Sequence, residues 1–407
     1  MNSSKKLIYI ANLRLPTEKA YGVQIAKMCE AFAAIATTND QRPTTNDANI
    51  EVELVTPYRK NNIKKDFFDY YGVKRNFKFK RIWAPDFYFP GFLNKIAFFI
   101  KNYFSAKALV REVLKENADV YYTRDELVAY LLSKKNKNVI FECHRFSNNR
   151  KSFYNYFKKA NLKIVTISDG LKEDLVKFGI KNSNILVARD GVDLAEFSAS
   201  MNKEERKEKQ RIFREEFFTD RDDRRRRKKI AVYIGSLYPW KGADILIRVA
   251  EHLKNINPNY LIWIVGGSKN DVEVLKKGLH PNIVPFIYIN GAVPHKDVAK
   301  ILIAADCAIL TGNESEIISA KYTSPLKMFE YMASGCPIVA QNLPSFREVL
   351  SGENSFLVEP GNAKALADQI AWVFDNEELA KNKASKAFED IQEYTWKKRA
   401  EKILNFI

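Results

Sequence analysis

At 407 residues the chain exceeds what one hydrophobic core usually organises, so two domains of ordinary size are expected. Hydrophobic residues at 46% and charged residues at 28% exclude a mainly disordered chain, and no run of about 18 uninterrupted apolar residues is present to span a membrane. The 66 Lys and Arg against 49 Asp and Glu, a net of +17, call for an anionic partner: nucleic acid, a phosphorylated ligand or a lipid surface. The apolar run in MNSSKKLIYIANLRLP is too short for a secretory signal. Cys29, Cys143, Cys307 and Cys336 are widely spaced, without metal-type or disulfide-type patterning, so a reduced, cytoplasmic protein with no metal site is expected.

In chain order, short apolar runs alternate with amphipathic stretches. LIYIA, VELVT, VYYT, VIFE, IVTIS and ILVA come before residue 190, and IAVYIG, LIWIVGG, FIYING, CAIL and PIVA follow. Runs apolar on both faces suit parallel strands covered by helices, here stretches such as AKMCEAFAAI and ADILIRVAEHL. The predicted fold is α/β: two doubly wound parallel-sheet, Rossmann-like domains, 1–197 and 198–385, divided just after RDGVDLAEF.

Three stretches depart from this alternation. TTND occurs at Thr37 and again at Thr44, around QRP, and reads as a polar loop insertion. Between residues 59 and 111 aromatic residues are interleaved with Lys and Arg, and Phe92, Ile96, Phe99 and Tyr103 make a helical stripe flanked by Lys95, Lys101 and Lys107. Such a stripe is either core with ordinary surface lysines or a peripheral contact for an anionic membrane. Single-stranded nucleic acid could use the same interleaving, but no nucleic-acid motif is present, and none is expected as partner. From Met201 to Lys229 charge dominates, which predicts a solvated helix and then a basic loop, Arg224 to Lys229, solvated or phosphate-binding.

SPLKMFEYMASG, Ser324 to Gly335, is punctuated as a short helix: Ser324 as cap, Pro325 at the first position, Gly335 and Pro337 as the stop. Inside it, Lys327 falls in the first turn, where the helix dipole disfavours a cation, and Glu330 shares the packing stripe of Leu326, Phe329 and Ala333. Both make sense if the helix N-terminus faces a phosphate and the acid accepts from paired ribose hydroxyls. Lys241-Gly242, after the strand that ends at Gly235, is placed to bring a second cation to that phosphate, and VGGS, with Gly266 and Gly267, marks a strand end where backbone can approach a ligand.

YIGSLYPWKG, WIVGG, INGAVPHKDV and SPLKMFEYMASGCPIVAQNLPSFREVL together resemble the donor-binding half of the retaining GT-B glycosyltransferases, family four, the glycosyl transferases group 1. RDGVDLAEF is similar to the phrase closing their first domain, and LRLPTEKAYGVQIAKMCEAF to their first strand-loop-helix; the likeness is weakest over 37–118 and 198–229. The resemblance implies a GT-B fold whose two domains face across a cleft, with a final helix, 386–407, packing back on the first domain. It implies transfer of a sugar from a nucleoside diphosphate sugar, UDP- before GDP-, to a hydroxyl of a glycan or lipid-linked acceptor, with retained configuration, no metal and no cofactor.

By position, the resemblance makes Lys241 the phosphate lysine, Glu330 the ribose acid, and the amides around Ser324, Pro325 and Leu326 the phosphate cradle. Gly22 in the first loop would let the chain approach the phosphates, and His144 in FECHRF matches a histidine that contacts the donor sugar; a structural histidine after a strand is the alternative. Two positions differ. Ser236 stands where the family often has arginine, and Tyr322 where it commonly has a second acid, for which Glu314 or Glu316 could substitute. Lys327 is then expected to complete the cation pair. The rival readings are a sugar-nucleotide epimerase on the same fold and a basic nucleic-acid-binding protein.

Overall fold

The structure, a computed structural model, describes residues 5–35, 50–89, 91, 93–197, 201–218 and 223–407. The TTND insertion and Phe92 lie outside the described residues. The chain divides into two compact units, Met1–Arg189 with Trp396–Ile407, and Asp190–Thr395. The division falls ahead of the 197/198 boundary read from the sequence, because Val192 pairs with Thr395 and Phe197 joins the core of the second unit.

The first unit holds a seven-stranded sheet of β1 (Lys5–Ile10), β2 (Ile50–Pro57), β3 (Lys78–Ile82), β4 (Val120–Thr123), β5 (Val139–Cys143), β6 (Lys163–Thr166) and β7 (Ile185–Val187), in the order β3-β2-β1-β4-β5-β6-β7. The second holds six strands, β8 (Lys229–Ile234), β9 (Tyr260–Val265), β10 (Ile287–Asn290), β11 (Cys307–Leu310), β12 (Ile338–Gln341) and β13 (Phe356–Val358), ordered β10-β9-β8-β11-β12-β13. Every pairing within the sheets is parallel. Two of these strands, β3 and β13, are absent from the runs read above. Both are edges: KFKRI has three basic residues among its five, which break the apolar run, and β13 has three residues.

In each sheet the order reverses beside the first strand, between β1 and β4 and between β8 and β11, which opens a crevice at the carboxyl ends of those strands. The second sheet shows why its strands read as continuous apolar runs. Ile230, Val232 and Ile234 of β8 pack into one core layer and Ala231 and Tyr233 into the other.

Two expectations are corrected here. The helix Lys203–Phe217 is not simply solvated: Phe213, Phe217 and the fully buried Phe218 pack on the core, and Arg214 reaches Ala304 O at 2.8 Å and Asp306 Oδ2 at 2.7 Å. Within 59–111 the aromatics divide, because Phe67, Tyr71 and Phe77 are buried whereas Phe99 and Tyr103, with Ile96, are exposed, and Lys101 is buried rather than flanking. Among the described residues no helix is long and apolar enough to cross a membrane.

Candidate active site

The crevice of the second unit is built on close backbone contacts. Gly235, at the end of β8, bonds through its amide to Val265 O at 2.9 Å, and a Cβ on Gly266 (φ +127°) would stand 2.0 Å from Gly235 O, so only glycine lets β8 and β9 end this close together. The turn Pro239–Lys241 is held against β11 in the same way: Thr311 Oγ1 donates to Lys241 O at 2.8 Å, and Gly242 lies against the backbone of Gly312. Lys241 therefore stands at the strand edge. It is half-buried, and desolvation pushes its pKa down to about 8.

The helix Leu326–Ala333 brings the other groups. Its Tyr331 hydroxyl accepts from the Ile234 amide at 2.9 Å, which pins the helix to the end of β8. Its Met328 amide donates to Pro325 O at 2.9 Å, and the amides of Leu326 and Lys327 precede the first intrahelical bond. Lys327 is buried, with Nζ 3.8 Å from the Tyr233 ring centroid and without a hydrogen-bond partner among the described residues. Burial, with the neighbouring Lys241 charge, holds it well below the ordinary lysine range, although Glu330 acts in the opposite direction. Glu330 is buried too, and its Oε1 lies 2.8 Å from His295 Nε2, while His295 Nδ1 is 3.8 Å from Glu196.

At the corresponding edge of the first unit lies a fully buried carboxylate. Glu142 Oε1 accepts from Gln24 Nε2 at 2.5 Å and Arg399 Nη2 at 3.0 Å and lies 2.5 Å from His144 Nε2, and Tyr122 donates to Oε2. Burial alone would raise the pKa of Glu142, but Arg399 and then His144 outweigh it and hold the carboxyl well below its usual range. Burial and the Arg124 charge push His144 down to about 4. A neutral ring facing a carboxylate donates its one N–H to it, which leaves Nδ1 as an acceptor.

Residues 215–390 match the family model for glycosyl transferases group 1. That segment belongs to the glycosyl transferases group 1 family. The chain is 30% identical over 169 residues, 41% of its own length and 42% of the relative's, to a phosphatidyl-myo-inositol mannosyltransferase of Mycobacterium leprae. It is 25% identical over 251 residues, 58% and 62% of the two lengths, to an N-acetyl-alpha-D-glucosaminyl L-malate synthase of Bacillus anthracis. These matches span about two fifths to three fifths of the relatives. Among solved structures, Anabaena HepE in complex with UDP and glucose superposes with a TM-score of 0.70 at 15% identity, over 98% of each chain. TarM gives 0.69 at 15% identity over 99% of this chain and 98% of its own. The fold class is that of the GT-B glycosyltransferases.

Of the residues singled out from the sequence, the group 1 domain brings Gly235, Ser236, Lys241, Gly266, Gly267, Lys327 and Glu330 to one sheet edge. Ser236 O accepts from Tyr233 Oη at 2.8 Å. Two assignments are corrected. Ser324 does not cap the helix, whose N-cap is Pro325 without a side-chain bond; its Oγ accepts from the Asp190 amide at 3.0 Å, tying down the chain that enters the unit. Gly22 is not in the loop but inside the helix Ala20–Ile35, where a Cβ would stand 2.1 Å from Tyr71 Oη; it is a packing glycine, making room for a tyrosine bonded to Thr17. Tyr322 is buried, and Glu314 and Glu316 are exposed in the loop after β11. The sequence reading passed over His295 and Glu142. A histidine opening the turn after β10 and an acid two residues before His144 were the available signals.

Proposed function

We propose that this protein transfers a sugar, with retained configuration and without a metal ion, from a nucleoside diphosphate sugar, UDP- before GDP-, to an acceptor hydroxyl. Lys327 carries the reading: a buried amino group with no hydrogen-bond partner among the described residues, beside a second lysine, at the helix end that least tolerates a cation. A leaving diphosphate supplies an anion that Lys327, Lys241 and the helix N-terminus can meet together. Glu330 then accepts from the ribose hydroxyls, and His144 offers Nδ1 to the donor sugar. Relatives named as mannosyl and N-acetylglucosaminyl enzymes support sugar transfer, and one named for phosphatidyl-myo-inositol supports a lipid-linked acceptor. Incubation with a panel of sugar nucleotides, reading thermal stabilisation and nucleotide release, tests the reading; no stabilisation by any of them rejects it.

Two results are expected with the nucleotide that binds. Glu330→Gln should weaken its affinity by about 1.5 to 3 kcal/mol, the scale for a hydrogen bond to a charged group, measured by calorimetry with folding checked by circular dichroism. Affinity should also fall as pH rises above about 8, because Lys241 must regain its proton before it can meet the phosphate. Lys241→Met should bind more weakly and lose that slope. A wild-type affinity flat from neutral pH to well above 8 would remove Lys241 from the phosphate.

A further inference from the structure

The helix Leu93–Val113 buries Ala97, Ala106, Leu109, Val110 and Val113, yet it leaves its larger apolar side chains outside. Ile96, Phe98, Phe99, Tyr103 and Phe104 face solvent, Phe99 at 69% exposure, while Lys101 and Ser105 are buried. Polar contacts hold this orientation. Lys101 Nζ lies 3.3 Å from Asp86 Oδ1, and Ser105 Oγ donates to Asn12 Oδ1 at 2.7 Å. The helix could not roll to bury its aromatics without breaking both.

The same lysine joins a second apolar segment to this face. Its ammonium sits 3.6 Å from the Tyr88 ring centroid, which brings the exposed Tyr88 to this helix; Phe89 and Trp83, the last 80% exposed, belong to the same stretch following β3. Contiguous apolar exposure of this kind on a folded chain marks a contact surface. Its border is cationic. Lys107 Nζ is 5.0 Å from the Tyr103 ring and Arg111 follows one turn on, while the helix's one acid, Glu112, is already engaged by Lys80 at 3.1 Å and Lys115 at 2.7 Å.

We propose that this face of the first unit seats in the interface of an anionic lipid bilayer, with the aromatic side chains at the boundary between headgroups and acyl chains and Lys107 and Arg111 against lipid phosphates. Rings with a polar tip suit that depth, and basic side chains beside them add attraction to anionic headgroups. A second copy of the chain is disfavoured as occupant, because it would bring one cationic border onto another on a protein of net charge +17. Asn12, just beyond β1, also bonds Asn102 O at 3.3 Å, so the face adjoins the strand-order reversal of the first sheet. Entry of a lipid-borne acceptor at that edge rests on the sugar-transfer reading; membrane binding itself does not.

The full-length chain should sediment with vesicles of phosphatidylglycerol and phosphatidylcholine in equal parts, more weakly as salt is added, and poorly with phosphatidylcholine alone. Phe98→Ser with Phe99→Ser should lower the partition coefficient by about tenfold or more, the scale for withdrawing two large apolar side chains, with an unchanged melting curve. Lys107→Glu with Arg111→Glu should remove the preference for anionic vesicles. Equal partition of wild type and the Phe98/Phe99 variant, or equal wild-type binding to both vesicle types, overturns the proposal. So does a concentration-dependent dimer, seen by sedimentation equilibrium, that the same variant abolishes, since the surface would then belong to a second copy. None of these measurements uses a sugar nucleotide, so failure of the sugar-transfer reading would be seen separately.

Discussion

Lys327→Met is expected to lower turnover by about 10²-fold or more, the scale for removing one preorganised electrostatic group. Methionine keeps an unbranched side chain and removes the charge together with its place over the Tyr233 ring. In the unliganded protein that charge is a burden: burial, Lys241 and the positive helix end act against it, Glu330 and the Tyr233 ring offset only part, and no hydrogen bond among the described residues compensates. The variant should therefore melt slightly higher than the wild type without ligand and gain less from UDP. Opposite signs for stability and rate distinguish a group held for an anion from a group that only packs. Arginine at position 236 in the same background should restore part of the rate, because it returns a cation to the end of β8. Nucleotide release at the wild-type rate from Lys327→Met would show that Lys241 and the amides suffice.

The largest stability effect is expected at Arg399. Its guanidinium donates to Glu142 at 3.0 Å and to Arg189 O at 2.9 Å, and both charged side chains are almost fully buried. Arg399→Met leaves the carboxylate without its principal counter-charge and should destabilise the first unit by about 3–5 kcal/mol, measured by denaturant unfolding. The pH dependence has a definite sign. Glu142 is held below its unfolded value, so its contribution is present above the usual carboxylate range and is lost as pH falls through the native value. In Arg399→Met that acid limb should shrink. Glu142→Gln with Arg399→Met should cost less than the two single changes summed, since neither then leaves an unpaired ion. A single-variant loss below about 1 kcal/mol would mean that water reaches the pair.

The sequence carried the strands well where both faces are buried. IAVYIG and LIWIVGG are apolar throughout because each residue packs into one of two layers, so they stand out without any partner being known. KFKRI did not, because an edge strand has solvent on one side and its lysines mask the period. In the helix Leu326–Ala333, Lys327 and Glu330 were legible because each breaks a local rule, a cation at a positive end and an acid on a packing stripe. Ser324 was misread for the opposite reason. It satisfies a local capping rule so well that nothing in the sequence shows its hydroxyl taken by Asp190. His295 and Glu142 were passed over because their partners, Glu330 and Arg399, are distant in sequence, and pairing at that range is set by topology.

The first unit is not continuous along the chain, since it takes residues before 190 and again from Trp396 onward. A ribosome making this protein delivers every residue of Asp190–Thr395 before the last piece of the unit it began with. Until that helix emerges, Glu142 has no Arg399, and Lys163, whose ammonium reaches Phe406 O at 2.8 Å, has no acceptor there. The second-made unit can therefore complete its fold first, while the first-made unit waits as an unfinished intermediate whose closing step is the docking of the C-terminal helix. A chain cut just before Arg399 would not simply be shorter; it would carry a buried acid without its cation in the unit synthesised earliest.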